Sequence, residues 1–154
     1  MDRSFMRMGV ETMDLMQIHN LRDWKVHIKT LREWKEQGKI RYIGITTSHG
    51  RMHDELEQAL KAEAFDFVQL SYNLADRAVE NRLLPLAADK GIAVLTNRAF
   101  QRGDLFKKVK HQSLPVWAAE FDCASWVNFF SSLWFLIRPL PRHTGHCQTA
   151  SYAR

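Results

Sequence analysis

The chain has 154 residues, 45 % hydrophobic and 25 % charged, enough for one domain with a real core. Of its formal net charge of +5, three charges are Arg138, Arg142 and Arg154 in an acid-free tail, residues 131–154, so residues 1–130 carry only +2. Lysines and arginines in that larger part are interspersed with acids, which excludes a nucleic-acid footprint. Two cysteines, Cys123 and Cys147, make no disulfide framework and point to a reduced, cytoplasmic setting.

The amino end, Met1 to Met8, is charged and too poor in apolar residues for a signal peptide, although a targeting segment upstream of Met1 stays open. Residues 2–9 read as the last turns of a helix, with Phe5 and Met8 at helical spacing and Gly9 as the stop. Met13 to Asn20 is a short apolar run, sized for one buried strand, that ends in His19. Asp23 is placed to cap the next helix, whose apolar face is Trp24, Ile28, Leu31 and Trp34, and Gly38 closes it. Ile40 to Ile45 is a second strand, with Thr46 to Gly50 as the loop at its carboxyl end.

The pattern then repeats. Asp54 to Ala64 is predicted helical with Leu56 and Leu60 inward, and Phe65 to Leu70 is a third strand. Asp76 to Lys90 is a helix closed by Gly91, and Ile92 to Leu95 is a fourth strand followed by the loop Thr96 to Gly103. Lys107 to Lys110 reads as a solvated loop. Pro115 to Phe130 reads as one helix, with Trp117, Phe121 and Val127 as its apolar side. Strands and helices thus alternate every ~25 residues, the mark of a parallel sheet with helical crossovers. A closed eight-stranded barrel needs ~200 residues or more, so this chain supplies about half of one. Phe129 to Ile137 is too short to span a membrane.

Read from the residues alone, three features stay open. His19 is either a reactive ring at the carboxyl end of a strand or a buried histidine with a backbone partner. Gln69 is either a ligand-facing amide or a core amide bonded to backbone. Arg98 and Arg102 are either phosphate-binding or solvated loop arginines. His49 and His53, four apart beside Asp54, lack the surrounding pattern of a metal site, and no metal is expected.

Several blocks in order resemble the aldo/keto reductase family. Asp14 to Asn20 resembles its fourth barrel strand. Thr30 to Ile45 resembles its fourth helix and fifth strand. Phe67 to Asn73 resembles the sixth strand, and Glu80 to Leu95 the sixth helix and seventh strand. The resemblance covers residues 3–130. It implies an α/β fold, a partial (β/α)8 TIM barrel of roughly strands 4 to 7 with their helices. It also implies hydride transfer from NADPH to the carbonyl carbon of a small aldehyde or ketone. His19 matches the family's catalytic histidine. Thr46, Thr47 and Gln69 match the groups that hold the nicotinamide carboxamide. Asn97 stands where many relatives stack an aromatic ring, and Phe100 in the same loop joins the cofactor-binding candidates. Arg98 and Arg102 are placed for the pyrophosphate.

The family's aspartate, tyrosine and lysine precede the strand ending at His19, and Tyr42 and Tyr72 match neither position. The chain alone is therefore expected to be inactive, with a non-catalytic half-barrel that binds nucleotide or a partner chain as the alternative. After Phe130 the resemblance stops. Residues 131–154 carry no strand alternation and no cap, and codons for the family's usual continuation, read one base out of frame, can give Ser131 to Pro139, so the tail is expected to be out-of-frame translation. The open sheet edges are expected to drive self-association or poor solubility.

Overall fold

The computed structural model describes residues 2–48 and 50–136, with side chains through Ser132. Four strands, β1 (Met13–Ile18), β2 (Ile40–Thr46), β3 (Phe67–Ser71) and β4 (Ala93–Asn97), form one parallel sheet in the order β1-β2-β3-β4. Gln17 lies opposite Gly44 across the first pair, Thr46 opposite Gln69 across the second, and Ser71 opposite Asn97 across the third. Parallel neighbours cannot be joined by a hairpin. Helix α2 (Trp24–Glu36), helix α3 (His53–Ala62) and helix α4 (Leu83–Asp89) make the crossovers, after a short α1 (Asp2–Met8).

The core lies between the sheet and these helices. Ile43, Ile45, Val68 and Leu70 meet Ile28, Leu31, Leu56, Ala59 and Leu60, all 5 % exposed or less. Alternation along each strand sends the intervening residues to the opposite face. Leu15, Gln17, Tyr42, Phe67, Gln69, Leu95 and Asn97 therefore form an inner face that is only partly covered. Tyr42 is 46 % exposed and sets its ring edge-on to Phe67, 5.5 Å between centroids. A parallel sheet with one face open is half of the usual two-faced burial. It is a segment of a barrel wall, as expected.

At the amino ends of the strands, Asp66 holds β2 and β3 together. Its carboxylate accepts from the Ile43 amide at 2.8 Å and pairs with Lys35 of α2 at 2.7 Å. Arg82, at the N-cap of α4, bridges to Asp54 and Glu57 of α3. Arg32 pairs with Glu63, and Arg41 with Asp14.

Four expectations change in detail. Asp23 stands at the start of α2 but caps nothing with its side chain, because its backbone is left-handed at φ 48°. The helix expected over 76–90 is a 3-10 turn, Ala78–Glu80, followed by α4. Pro85 sits in the first turn of α4, where a missing N–H is harmless, and so sets the later start. The helix expected over 115–130 is a 3-10 segment, Val116–Phe121, and a separate helix α6, Trp126–Leu136. Asp122, left-handed at φ 55°, breaks it, and Trp117, Phe121 and Val127 are half or more exposed rather than inward. The stretch containing Lys107 to Lys110 is largely helical, in α5 (Asp104–Val109). His49 and the expected out-of-frame tail beyond Leu136 lie outside the described residues.

Tyr72 follows β3 on the helix side and is 1 % exposed. Its hydroxyl donates to Glu80 at 2.5 Å, and Glu80 also pairs with Arg77. Burial first, and then the Glu80 bond, push the Tyr72 phenol up to about 12. The Arg77 bond, then the Tyr72 bond, hold the Glu80 carboxyl below its ordinary value. Above pH 10 the unfolded phenol loses its proton while the folded one keeps it, so stability falls as pH rises from 10 towards 12. Tyr72→Phe is expected to destabilise the chain by about 1 kcal/mol at pH 7. It should also remove most of the alkaline loss, as read by urea unfolding at pH 7 and pH 10.5.

Candidate active site at the strand carboxyl ends

Because all four strands run the same way, their carboxyl ends meet at one rim, the end where barrels of this kind carry chemistry. Three side-chain amides are linked there. Gln17 Nε2 donates to Gln69 Oε1 at 2.9 Å, and Gln69 Nε2 donates to Asn97 Oδ1 at 2.6 Å. Asn97 Nδ2 then donates to the backbone carbonyl of Thr47 at 3.3 Å. A carbonyl oxygen only accepts, so the last link must be a donation from Asn97. That fixes the direction of every link before it. The row spans β1, β3 and β4 and ends in the loop after β2.

Gln17 crosses β2 to reach Gln69, and Gly44 is what it crosses. A Cβ there would stand 2.9 Å from Gln17 Cγ. Beside the row, Thr46 and Thr47 are 6 % and 3 % exposed. The Thr46 hydroxyl accepts from the Asn20 amide at 2.9 Å. This bond holds the turn after β1, where Asn20, Leu21 and Asp23 all have positive φ. Gln17 Oε1, Asn20 Oδ1 and Thr47 Oγ1 are buried and have no hydrogen-bond partner among the described residues.

His19 opens that turn and is exposed, which rules out the buried-histidine alternative. Its Nε2 lies 3.0 Å from Asn20 Nδ2. An amide nitrogen only donates, so in this orientation of Asn20 it is Nε2 that accepts, the role it has in the tautomer with the ring proton on Nδ1.

The remaining candidates lie apart from this row. Arg98 and Arg102 line an open cavity of about 250 Å³ with Asn73, Asp76, Gln101 and Asp104. Its two arginines face two aspartates, so it is not simply cationic. Asp104 is held below the ordinary carboxylate range by its bond to Lys107, with a smaller contribution from Arg102. Phe100 packs on Phe106 at 5.2 Å, and Phe106 on Phe130 at 5.4 Å, so its ring belongs to an aromatic cluster with α6. Asn97 offers no ring but positions Gln69. Among the described residues no three metal-binding side chains gather, and no helix is long and apolar enough to cross a membrane.

Of the eight described non-glycine residues with positive φ, seven follow strand carboxyl ends: Asn20, Leu21, Asp23, Met52, Arg98, Gln101 and Arg102. Strained backbone gathered at one rim is a pointer to function. Three contributors were not singled out in the sequence: Gln17, Asn20 and Gly44. Two signals were there to find, a polar side chain inside an apolar strand and a glycine inside a strand, which marks a close approach.

A parallel sheet backed by helices, with a polar, strained carboxyl rim, defines a segment of a (β/α)8 barrel with its candidate site at the usual end. The aldo/keto reductase family model matches residues 1–120. The chain is 30 % identical over 122 residues to the NADH-specific methylglyoxal reductase of Escherichia coli (strain K12), covering 73 % of this chain and 35 % of that protein. Among solved structures, an aldo/keto reductase from Klebsiella pneumoniae in complex with NADP and acetate superposes with a TM-score of 0.66 at 20 % identity. That match covers 90 % of this chain and 50 % of the other. The holo form of an aldo-keto reductase from Bacillus halodurans gives 0.60 at 24 % identity, covering 75 % of this chain and 38 % of that one. At those identities the two structures establish the fold. This chain belongs to the aldo/keto reductase family, a family of oxidoreductases. It spans about a third of the length of the curated relatives it matches.

The Thr46 hydroxyl is the side-chain anchor of the turn that presents His19. Thr46→Val leaves the Asn20 amide without its acceptor and is expected to destabilise the chain by about 1–3 kcal/mol. Hydrogen exchange at the Asn20 amide should accelerate, and unchanged exchange would show that the turn holds itself.

Proposed function

We propose that the carboxyl rim of this chain holds the nicotinamide end of NADPH for reduction of a small aldehyde or ketone. The observation that carries this reading is the one-way amide row. A carboxamide has both a donor and an acceptor to satisfy. Gln69 commits one N–H and one lone pair to its neighbours, which leaves one of each for such a group. Thr47 Oγ1, buried and without a partner among the described residues, supplies a further polar contact. The residues present therefore fit the group. NADP in the Klebsiella relative and NADH in the name of the Escherichia relative both support a nicotinamide nucleotide, and the family resemblance favours NADPH.

When bound, NADPH supplies the hydride. The part that falls to this chain is orientation and charge. An imidazole N–H aimed at the substrate oxygen stabilises the negative charge that develops there. Asn20 governs which ring nitrogen of His19 carries that proton. With Nδ2 towards the ring, Nε2 accepts; with the amide turned over, Oδ1 accepts and Nε2 carries the proton. Arg98 and Arg102, in the cavity beside β4, are the candidates for the pyrophosphate.

A polypeptide of these 154 residues is expected to bind without turnover. Neither described tyrosine serves as an acid at the rim. Tyr42 lies on the inner face, level with Leu15 and below Gly44, and Tyr72 is tied to Glu80 on the helix side. Titration with NADPH should show saturable binding by fluorescence, and Gln69→Leu should weaken it about tenfold, the worth of one hydrogen bond. Steady oxidation of NADPH by methylglyoxal would overturn the inactivity.

A second role, self-association, is favoured by the edges of β1 and β4, unpaired among the described residues, and by the open inner face. Sedimentation is then expected to show species larger than the 18.0 kDa monomer, whereas a monodisperse monomer would remove this role.

A further inference from the structure

We propose that Gln17 is a positioning residue that clamps the Gln69 amide, and that position 44 is glycine so that Gln17 can cross β2 to do so. The proposal rests on the nicotinamide reading above. Gln17 belongs to β1 and Gln69 to β3, two strands away, a separation of about 9–10 Å between strand axes. A side chain spans that distance only if the strand between presents no side chain under it. Gly44 faces Gln17 directly in the register. A Cβ added there would stand 2.9 Å from Gln17 Cγ, 3.0 Å from Oε1 and 3.3 Å from Cδ, so the whole Gln17 arm lies flat on the glycine backbone.

The two ends of a glutamine amide are nearly the same shape, and rotation by half a turn about its last torsion exchanges them. Gln69 is prevented from turning on both sides. Asn97, polarised by the Thr47 carbonyl, demands an N–H from it, and Gln17 offers an N–H to its oxygen. With both clamps in place the oxygen faces β1 and the nitrogen faces β4. A carboxamide bound against Gln69 then meets a fixed donor and a fixed acceptor rather than a mixture.

The clamp is not built for stability. Gln17 Oε1 is buried and has no hydrogen-bond partner among the described residues. An orphaned acceptor destabilises a fold and offsets what the bond from Nε2 to Gln69 contributes, so an apolar side chain of the same length would serve the sheet about as well. The part of Gln17 that finds a partner is the nitrogen, and it is spent on Gln69.

The test uses the full chain and two variants, Gln17→Met and Gly44→Ala. Kd is measured for NADPH and for its reduced 3-acetylpyridine analogue, which lacks the carboxamide nitrogen, alongside the thermal midpoint and the side-chain amide signals of Gln69 by NMR. The wild type is expected to prefer NADPH about tenfold, the worth of one hydrogen bond. Gln17→Met leaves Gln69 held from the Asn97 side only, so it should lower that preference with the midpoint little changed, and the Gln69 amide signals should shift. Gly44→Ala should lower the preference too, with a lower midpoint. A Gln17→Met variant that keeps the preference while its midpoint falls would show a merely structural side chain and overturn the proposal. Absence of NADPH binding by the wild type would overturn the nicotinamide reading and the carboxamide assignment with it. The clamp would then stand or fall on the Gln69 signals alone, which move in Gln17→Met only if Gln17 holds that amide.

Discussion

Parallel strands that are neighbours both in sequence and in space must be joined by crossovers, and this constraint arranges everything else in the molecule. Each of β1, β2 and β3 is followed by a return over the same face of the sheet, so the helices bury Ile43, Ile45, Val68 and Leu70 on one side. The opposite side is left with Leu15 and Leu95 among small, polar and aromatic residues. All four carboxyl ends are delivered to one rim. Gln17, Thr46, Gln69 and Asn97 come from four separate strands, yet each lies within two residues of its strand's end. Their meeting is a consequence of direction, not of any local motif.

At the rim the chemistry is that of amides in a partly dry place. Side-chain amides carry donors and acceptors in equal number and no charge, so a row of them can be fixed in direction by one backbone carbonyl at its end. The low dielectric of such a site strengthens each link, and neighbouring links polarise one another. The left-handed residues after β1 and β4 belong to the same design. Asn20 tolerates that conformation readily, whereas Leu21, buried at 2 % exposure, is held there by its surroundings. A ligand at this rim meets groups whose orientation was settled when the sheet folded.

The cavity beside β4 works differently. Arg98 and Arg102 share it with Asp76 and Asp104, and Asp104 is bound to Lys107. Charges of both signs in an open, solvated place hold one another only weakly. An anionic group entering there would have to draw the arginines away from nearby carboxylates. That cavity gives reach and adaptability, whereas the amide row gives fixed geometry.

The sequence by itself determined the strand and helix alternation, the parallel sheet and the rim. The apolar runs ending at His19, Ile45, Leu70 and Leu95, and the helix stops at Gly38 and Gly91, both glycines with positive φ, are local signals. The family blocks also marked His19, Thr46, Thr47, Gln69 and Asn97. Tertiary structure alone decided what those residues do to one another. No local pattern says that Gln17 reaches two strands away, because the register that puts Gly44 beneath it is a property of strand pairing. Nor does it say that Asn97 orients Gln69, that Phe100 joins an aromatic cluster with α6, or that the Asp23 side chain makes no cap bond. The break between the 3-10 segment and α6 was hidden for the same reason. Apolar periodicity runs across residues 115–130, but a left-handed Asp122 redirects the chain, and exposure is settled only by what packs against each face.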